Sequence, residues 1–477
     1  MTAASSPSAA RAHEMIVPRP GWAEHRAEED WWGDFVFITR KLIAESGVDP
    51  AEIRAIATSA IGPCMLPVDA DGAPLSNGVL YGVDTRAARE IHDLNAEIGK
   101  DTILARCGNA LTSQSVGPKI LWFKRNHPEL WEKTARILSS TSYLTFRLTG
   151  AYAIDHYTAA NFSPLYDITE QDWCDDLADF CPPAMLPELM WSTEIAGHVT
   201  REAAAETGLA AGTPVTCGTI DAAAEAVSVG VRHSGDMMMM YGSTIFIILL
   251  SDQPLSDPRL WHAPWLFPGE HAAMAGLATS GTLTHWFRDH FARELERDSA
   301  FAVLTSEALA SPPGAKGLIC LPYFSGERTP IHDSHAKGSF FGLDLTHDRG
   351  DMYRSVLEGI ASATRHIAET YAEAGQRPAR VLAVGGGTKN RPWLQATSDL
   401  TGLDQIVCAV TTGASYGDAF LAALAVGSAE AGDMAAWNPP GEVVEAKSHA
   451  AYDRQYPLFL KLYEQTKDIM AALDPEA

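Results

Sequence analysis

Two stretches in the middle of the chain hold residue types suited to moving a proton and binding an anion. Residues 212–242 read GTPVTCGTIDAAAEAVSVGVRHSGDMMMMYG. A short apolar run, Pro214 to Cys217, leads through Gly218-Thr219-Ile220 to Asp221, and a small-residue helix pattern follows. The pattern puts one carboxylate at a strand-to-helix turn, where a helix N-terminus favours the ionised form and leaves N–H groups free. A second apolar run, Met237 to Tyr241, breaks at Gly242-Ser243-Thr244. A Gly-Ser-Thr turn lets backbone N–H groups approach an anion closely. A lone carboxylate base beside a phosphate cradle is what phosphoryl transfer to a hydroxyl requires.

Alternating elements must position these groups. Residues 28–48 carry Trp32, Phe35, Ile38 and Leu42 at helical spacing. Ile53–Ser59 and Met65–Val68 read as short strands, and Asp69-Ala70-Asp71-Gly72 reads as a hairpin turn. Leu80–Arg86 is expected to close a strand and open a helix running to Ile98, with Asp84 as its cap. Helices are expected over 118–131 and over 137–150, the latter stopped by Gly150. His156 reads as a structural hydrogen-bonder. The Met237–Leu250 region reads as two buried strands around a turn, because its breaks deny it a membrane span. Farther on come a helix after Gly281, an amphipathic helix over 351–374, a strand Arg380–Val384 ending in three glycines, a helix from Pro392, a strand Gln405–Val410 and a helix Ser415–Val426. Residues 445–477 read as terminal helices. Strand and helix alternate, which implies α/β layers.

A length of 477 residues suits two domains, and 46% hydrophobic with 20% charged residues suits a globular chain. A net charge of −24 argues against nucleic-acid and anionic-membrane partners, which select basic patches. The seven cysteines are scattered, with no C-x-x-C pair, which favours a reducing cytoplasm and disfavours a disulfide framework or zinc site.

Five segments in order resemble the FGGY family of carbohydrate kinases. They are the stretch around Asp221, Pro18-Arg19-Pro20-Gly21-Trp22-Ala23-Glu24 followed by Trp31-Trp32, Lys119–Asn126 (KILWFKRN), Pro322–Pro330 (PYFSGERTP) with Gly338 and Gly342-Leu343, and Gly385–Gln395 (GGGTKNRPWLQ). The Pro322–Pro330 segment is similar to the xylulokinase branch. The resemblance implies two RNase H-like domains of the actin, hexokinase and Hsp70 superfold, spanning 1–228 (sugar side) and 229–477 (nucleotide side), with the active site in the cleft between them. It implies an ATP-dependent sugar kinase, with Mg²⁺ riding on the nucleotide and no independent metal cage, and it suggests a homodimer.

The residue roles follow from the resemblance. Asp221 is the expected general base. Gly242, Ser243, Thr244, Gly281, Gly386 and Gly387 are expected against the phosphates and ribose, with Asn390 and Arg391 flanking the adenine. Gly62, Pro63, Asp84, Arg86 and Gln114 are expected near the sugar. Lys119 and Trp122 read as interdomain packing, and Glu327-Arg328 as structural or hinge contacts. Two departures matter. Xylulokinases carry Gln-Met-His in the hairpin where this chain has Ile61-Gly62-Pro63-Cys64, a departure that counts against xylulose itself; a ketopentose (xylulose among them) or a related polyol still leads, with a hexulose or a sugar acid open. The family's N-terminal Asp-x-Gly-Thr-Thr hairpin has no counterpart in MTAASSPSAA. Either the natural product starts farther upstream, or this is a degenerate nucleotide-binding regulatory protein without turnover. A chaperone- or actin-like ATPase is disfavoured by the PGWAE and SGERTP segments.

Overall fold

The computed structural model describes residues 8–473, so most of the small polar leader and the last four residues lie outside it. The described residues form two compact units. The first takes in residues 8–228, His262–His271 and Thr412–Met434, and the second Val229–Trp261, Ala272–Thr411 and residues 435–473. The chain thus passes into the second unit after Ser228, and two later segments belong to the first.

In the second unit the strands His271–Leu277, Ile245–Ser251, Asp236–Tyr241, Arg380–Val384, Gln405–Cys408 and Pro440–Val444 lie side by side in that order. Asp236–Tyr241 is antiparallel to Ile245–Ser251 and parallel to Arg380–Val384, with Met240 opposite Val384. That central place explains the methionine run. A strand covered on both faces reads as continuous apolar residues, and Met237, Met238 and Met239 are buried. The helix Arg349–Glu373 starts at a capping box between Asp348 and Asp351. It buries Tyr353, Val356, Leu357, Ile360, Ile367 and Tyr371 at the spacing of one helix face. The chain's last segment is one helix, Ala450–Ala472, preceded by the strand Pro440–Val444. A strand that opens with proline belongs at a sheet edge, where no ladder donor is missed.

The first unit carries its strands as short pairs. Leu66–Val68 runs antiparallel to Arg136–Leu138, and Ser59–Ala60 runs parallel to Thr219–Ile220. Three expectations need correction here. Ile53–Ser59 is not a strand: Ile56 makes a single bridge to Val215, and the strand proper is Ser59–Ala60. Its β-branched residues meet no continuous ladder partner, and strand preference depends on that context. Residues 137–150 are the end of one strand followed by the helix Ser140–Thr149, capped by the Ser139 hydroxyl. Leu80–Arg86 does not pass from strand into helix. The strand is Gly78–Val79, the helix is Ala88–Ile98 with Ala87 at its cap, and Asp84 sits in the turn between them.

Candidate active site

In the first unit, Thr219 lies opposite Ser59 and Ile220 opposite Ala60 in parallel register. Asp221 and Ile61 therefore leave neighbouring strands at the same end. Asp221 is the first residue of the helix Asp221–Ser228, whose small residues Ala223, Ala224 and Ala226 are buried. Its Oδ1 accepts the backbone N–H of Ala222 at 2.7 Å. Burial pushes its carboxyl up to about 6, the Ala222 N–H holds it down in part, and the nearby Glu225 charge adds to the rise. A carboxylate so placed is ionised at neutral pH yet more basic than a solvated one, which suits a general base.

The segment Ser139–Thr141 braces both strand ends. The Ser140 hydroxyl donates to the Ile61 carbonyl, and Thr141 Oγ1 donates to the Thr219 carbonyl at 2.7 Å. From the other side Thr219 Oγ1 donates to Asp155 Oδ2 at 2.8 Å. Burial lifts the Asp155 carboxyl to about 6 against the hydroxyls of Thr158 and Thr219. Gly62 and Pro63 form the turn after Ile61, and a Cβ on Gly62 would stand 2.9 Å from Ile220. Gln114 holds the neighbouring turn, its Oε1 accepting the Gly82 N–H at 2.9 Å. His156 is structural: its Nδ1 bonds the Tyr166 hydroxyl at 2.8 Å.

Asp84 and Arg86 are spent on each other. Arg86 Nη2 lies 2.7 Å from Asp84 Oδ2 and 2.8 Å from Glu24 Oε1, with side chains 3% and 0% exposed for Arg86 and Asp84. Asp84 Oδ2 also accepts the Ala23 N–H at 2.7 Å. The guanidinium lies over the rings of Trp22 and Trp122, 4.1 and 5.0 Å from their centroids. Lys119 Nζ donates to the carbonyls of Leu80 and Tyr81 at 2.6 and 2.8 Å, and burial pushes it down to about 8 against the pull of Asp84. Lys119 and Trp122, expected to pack rather than to catalyse, have structural partners here. Both residues are bonded and stacked inside the first unit, where they fix the 80–86 turn to the Pro18–Glu24 segment. Sequence reasoning missed Trp22 and Glu24 as partners of Arg86, because nothing in the spacing joins residues about sixty positions apart.

In the second unit a cavity of about 550 Å³ opens at the ends of the strands Asp236–Tyr241 and Arg380–Val384. Gly242, Ser243, Gly281, Gly386, Gly387 and Asn390 all line it. The Ser243 carbonyl accepts the N–H groups of Ser280 and Thr282 at 3.1 and 3.0 Å, which ties the turn to the start of the helix Gly281–Phe291. A Cβ on Gly386 would meet nothing within 4 Å, so a side chain there would fill cavity space that glycine leaves open. Asn390 caps the helix Arg391–Thr401 and donates to the Tyr353 hydroxyl at 3.0 Å. Thr244 and Arg391 are not on this wall. The Thr244 carbonyl closes the turn by accepting the Gly242 N–H at 3.0 Å, and Arg391 pairs with Glu442.

Thr284, His285, Phe301, Thr305, Lys389 and Trp393 also line the cavity and were not anticipated. Lys389 and Trp393 lie within the glycine-triplet segment and His285 one turn past Gly281, so proximity in sequence was a usable signal for these. Phe301, edge-on to His285 with centroids 4.9 Å apart, comes from a separate helix and left none. Behind the cavity's helix, Glu327 Oε1 accepts the N–H groups of Ala278 and Arg328, each at 2.7 Å. The glycine-floored recess with a hydroxyl, an amide and an ammonium on its wall fits a nucleotide. Among the described residues no group of three or more His, Cys, Asp or Glu side chains is placed to hold a metal ion. Nor is any helix among them long and apolar enough to cross a membrane.

The FGGY carbohydrate-kinase N-terminal domain matches residues 4–228, and the family's C-terminal domain matches residues 237–426. The chain belongs to the FGGY family of carbohydrate kinases. It is 30% identical to the xylulose kinase of Bacillus subtilis (strain 168), over 97% of this chain and 93% of that protein. The structure of xylulose kinase from Rhodospirillum rubrum superposes with a TM-score of 0.89 at 31% identity, covering 96% of this chain and 94% of that one. A gluconate kinase from Lactobacillus acidophilus shares the fold, with a TM-score of 0.87 at 22% identity over 96% of this chain and 92% of that one. This FGGY protein is a carbohydrate kinase of the xylulokinase-like group, using ATP with Mg²⁺. Bound together with the nucleotide, the metal would neutralise charge on the transferred group.

Proposed function

We propose that the acceptor is a ketopentose of the xylulose type and that Asp221 is the general base. The observation that carries the reading is the place of Asp221: first residue of its helix, at the end of the parallel strand pair, beside the Ile61–Pro63 turn, with its carboxyl lifted to about 6. In the reaction the acceptor hydroxyl oxygen forms a bond to the γ-phosphorus. The bond from phosphorus to the β,γ-bridging oxygen breaks, ADP leaves, and the hydroxyl proton passes to the Asp221 carboxylate. Because the phosphoryl group's own departure drives the step, a carboxylate is basic enough. The glycine recess at Gly242, Gly386 and Gly387 would hold the nucleotide, with Ser243 and Lys389 toward its anionic part. The relatives near 30% identity that are named xylulose kinases support the ketopentose. The seven unpaired buried thiols support a reducing compartment.

The test is ATP consumption against a panel of ketopentoses, hexuloses, polyols and sugar acids, with wild type and Asp221→Asn side by side. Preferential turnover of D-xylulose by the wild type, lost in the variant, is the expected result. Turnover surviving in the variant would remove Asp221 from the role of base.

A further inference from the structure

The turn that should read the sugar is short of polar side chains, since Ile61, Gly62 and Pro63 offer only backbone. Asp84 is already engaged with Arg86 and Ala23, and the Gln114 Oε1 with the Gly82 N–H. A site selective among sugars needs acceptors and donors that a wrong sugar leaves unpaired. One carboxyl beside the base has such capacity unspent.

Asp418 lies on the helix Ala414–Ala425, which packs against the base's helix Asp221–Ser228. The approach is backbone to backbone. A Cβ on Gly417 would lie 1.8 Å from the carbonyl oxygen of Ala224, so only glycine is tolerated there. The next residue, Asp418, is thereby held beside the first turn of the base's helix. Its Oδ2 accepts the hydroxyl of Ser59 at 2.6 Å, and Ser59 is the residue opposite Thr219 in the parallel pair. Its Oδ1 is enclosed and has no hydrogen-bond partner, while the residue as a whole keeps a partly exposed edge. Buried carboxyl oxygens are normally satisfied, so a lone one calls for a partner.

We propose that Asp418 is a specificity-determining residue of the acceptor site, whose free oxygen takes part in a hydrogen bond with a hydroxyl of the bound sugar. The inference rests on Asp221 being the base at that site. Burial raises the Asp418 carboxyl to about 7, with Ser59 opposing and the Asp221 charge adding. Near neutrality the group therefore has access to both protonation states and can accept from or donate to the hydroxyl.

The experiment uses the full chain with Asp418→Ala and Asp418→Asn, measuring kcat and KM for D-xylulose and for its single-deoxy analogues, KM for ATP, and Tm. The expected result is an acceptor KM raised about tenfold or more in Asp418→Ala, with the KM for ATP unchanged. Discrimination against one deoxy analogue, and only one, should fall in the same variant. Asp418→Asn, which still accepts from Ser59, should keep the Tm and shift the acceptor KM alone. Unchanged acceptor KM and unchanged deoxy discrimination in both variants would overturn the proposal while leaving Asp221 as base. A parallel loss of Tm, ATP affinity and acceptor affinity in both variants would overturn it in favour of a structural role. A wild type that phosphorylates no sugar on the panel would overturn it together with the ketopentose reading.

Discussion

The N–H of Gly281 donates to the carbonyl of Gly242 at 3.1 Å, and a Cβ on Gly281 would stand 2.3 Å from that same oxygen. The contact joins the turn after the strand Asp236–Tyr241 to the first residue of the helix Gly281–Phe291, and both residues line the cavity proposed for the nucleotide. Gly281→Ala must push the two backbones apart, at a cost of about 1–3 kcal/mol for forced overpacking. The expected outcome is a KM for ATP raised about tenfold or more, which corresponds to about 1.4 kcal/mol of lost binding. Calorimetric titration with ATP checks it; an unchanged affinity would show that the junction does not shape the site.

Asp221→Asn keeps the volume and loses the carboxylate that we propose as the base. A positioned general base contributes about 10²–10⁴-fold. We expect kcat to fall within that range while ATP affinity, which we assign to the second unit, stays within about twofold.

The pH dependence follows from the same carboxyl. Asp221 must be ionised to take a proton, so kcat/KM should rise with pH through a midpoint of about 6. Glu225 contributes to that elevation, so Glu225→Gln should move the midpoint to lower pH. A midpoint that stays put in the variant would remove Glu225 as a cause.

Stability runs opposite to activity at this residue. Its carboxyl is raised from 3.8 to about 6 in the folded protein. The stability this confers is fully present below pH 3.8 and lost as pH rises through about 6. Above that, the buried charge costs up to about 3 kcal/mol. Asp221→Asn should therefore melt higher than wild type at pH 8 and coincide with it near pH 4. Equal melting temperatures at both pH values would refute the linkage.

Glu327 holds the loop before Gly281 through the N–H groups of Ala278 and Arg328. Burial pushes its carboxyl up to about 8, and its Oε2 has no partner. Glu327→Gln retains the accepting oxygen and sheds the titratable group, so its stability near pH 9 should match or exceed wild type. Glu327→Ala strands two buried donors and should cost about 1–3 kcal/mol, read by urea unfolding.

The sequence by itself determined the local elements whose period or punctuation is strong. Asp221 at a helix start, the methionine run as a covered strand, Arg380–Val384 ahead of three glycines and the amphipathic helix over 351–374 all follow from spacing and punctuation. The kinase family was legible in five ordered segments. Tertiary structure alone decided which side chains have anything left to offer. Asp84 and Arg86 satisfy one another between two tryptophans, Arg391 turns to Glu442, and Asp418 meets Ser59 across some 359 positions of chain. Periodicity reports which face of an element is buried. It carries no information about which distant polar group arrives to satisfy a donor, because that is settled by packing of helices such as 414–425 on 221–228. The residue types named the chemistry; the long-range hydrogen bonds determined which of them are free to perform it.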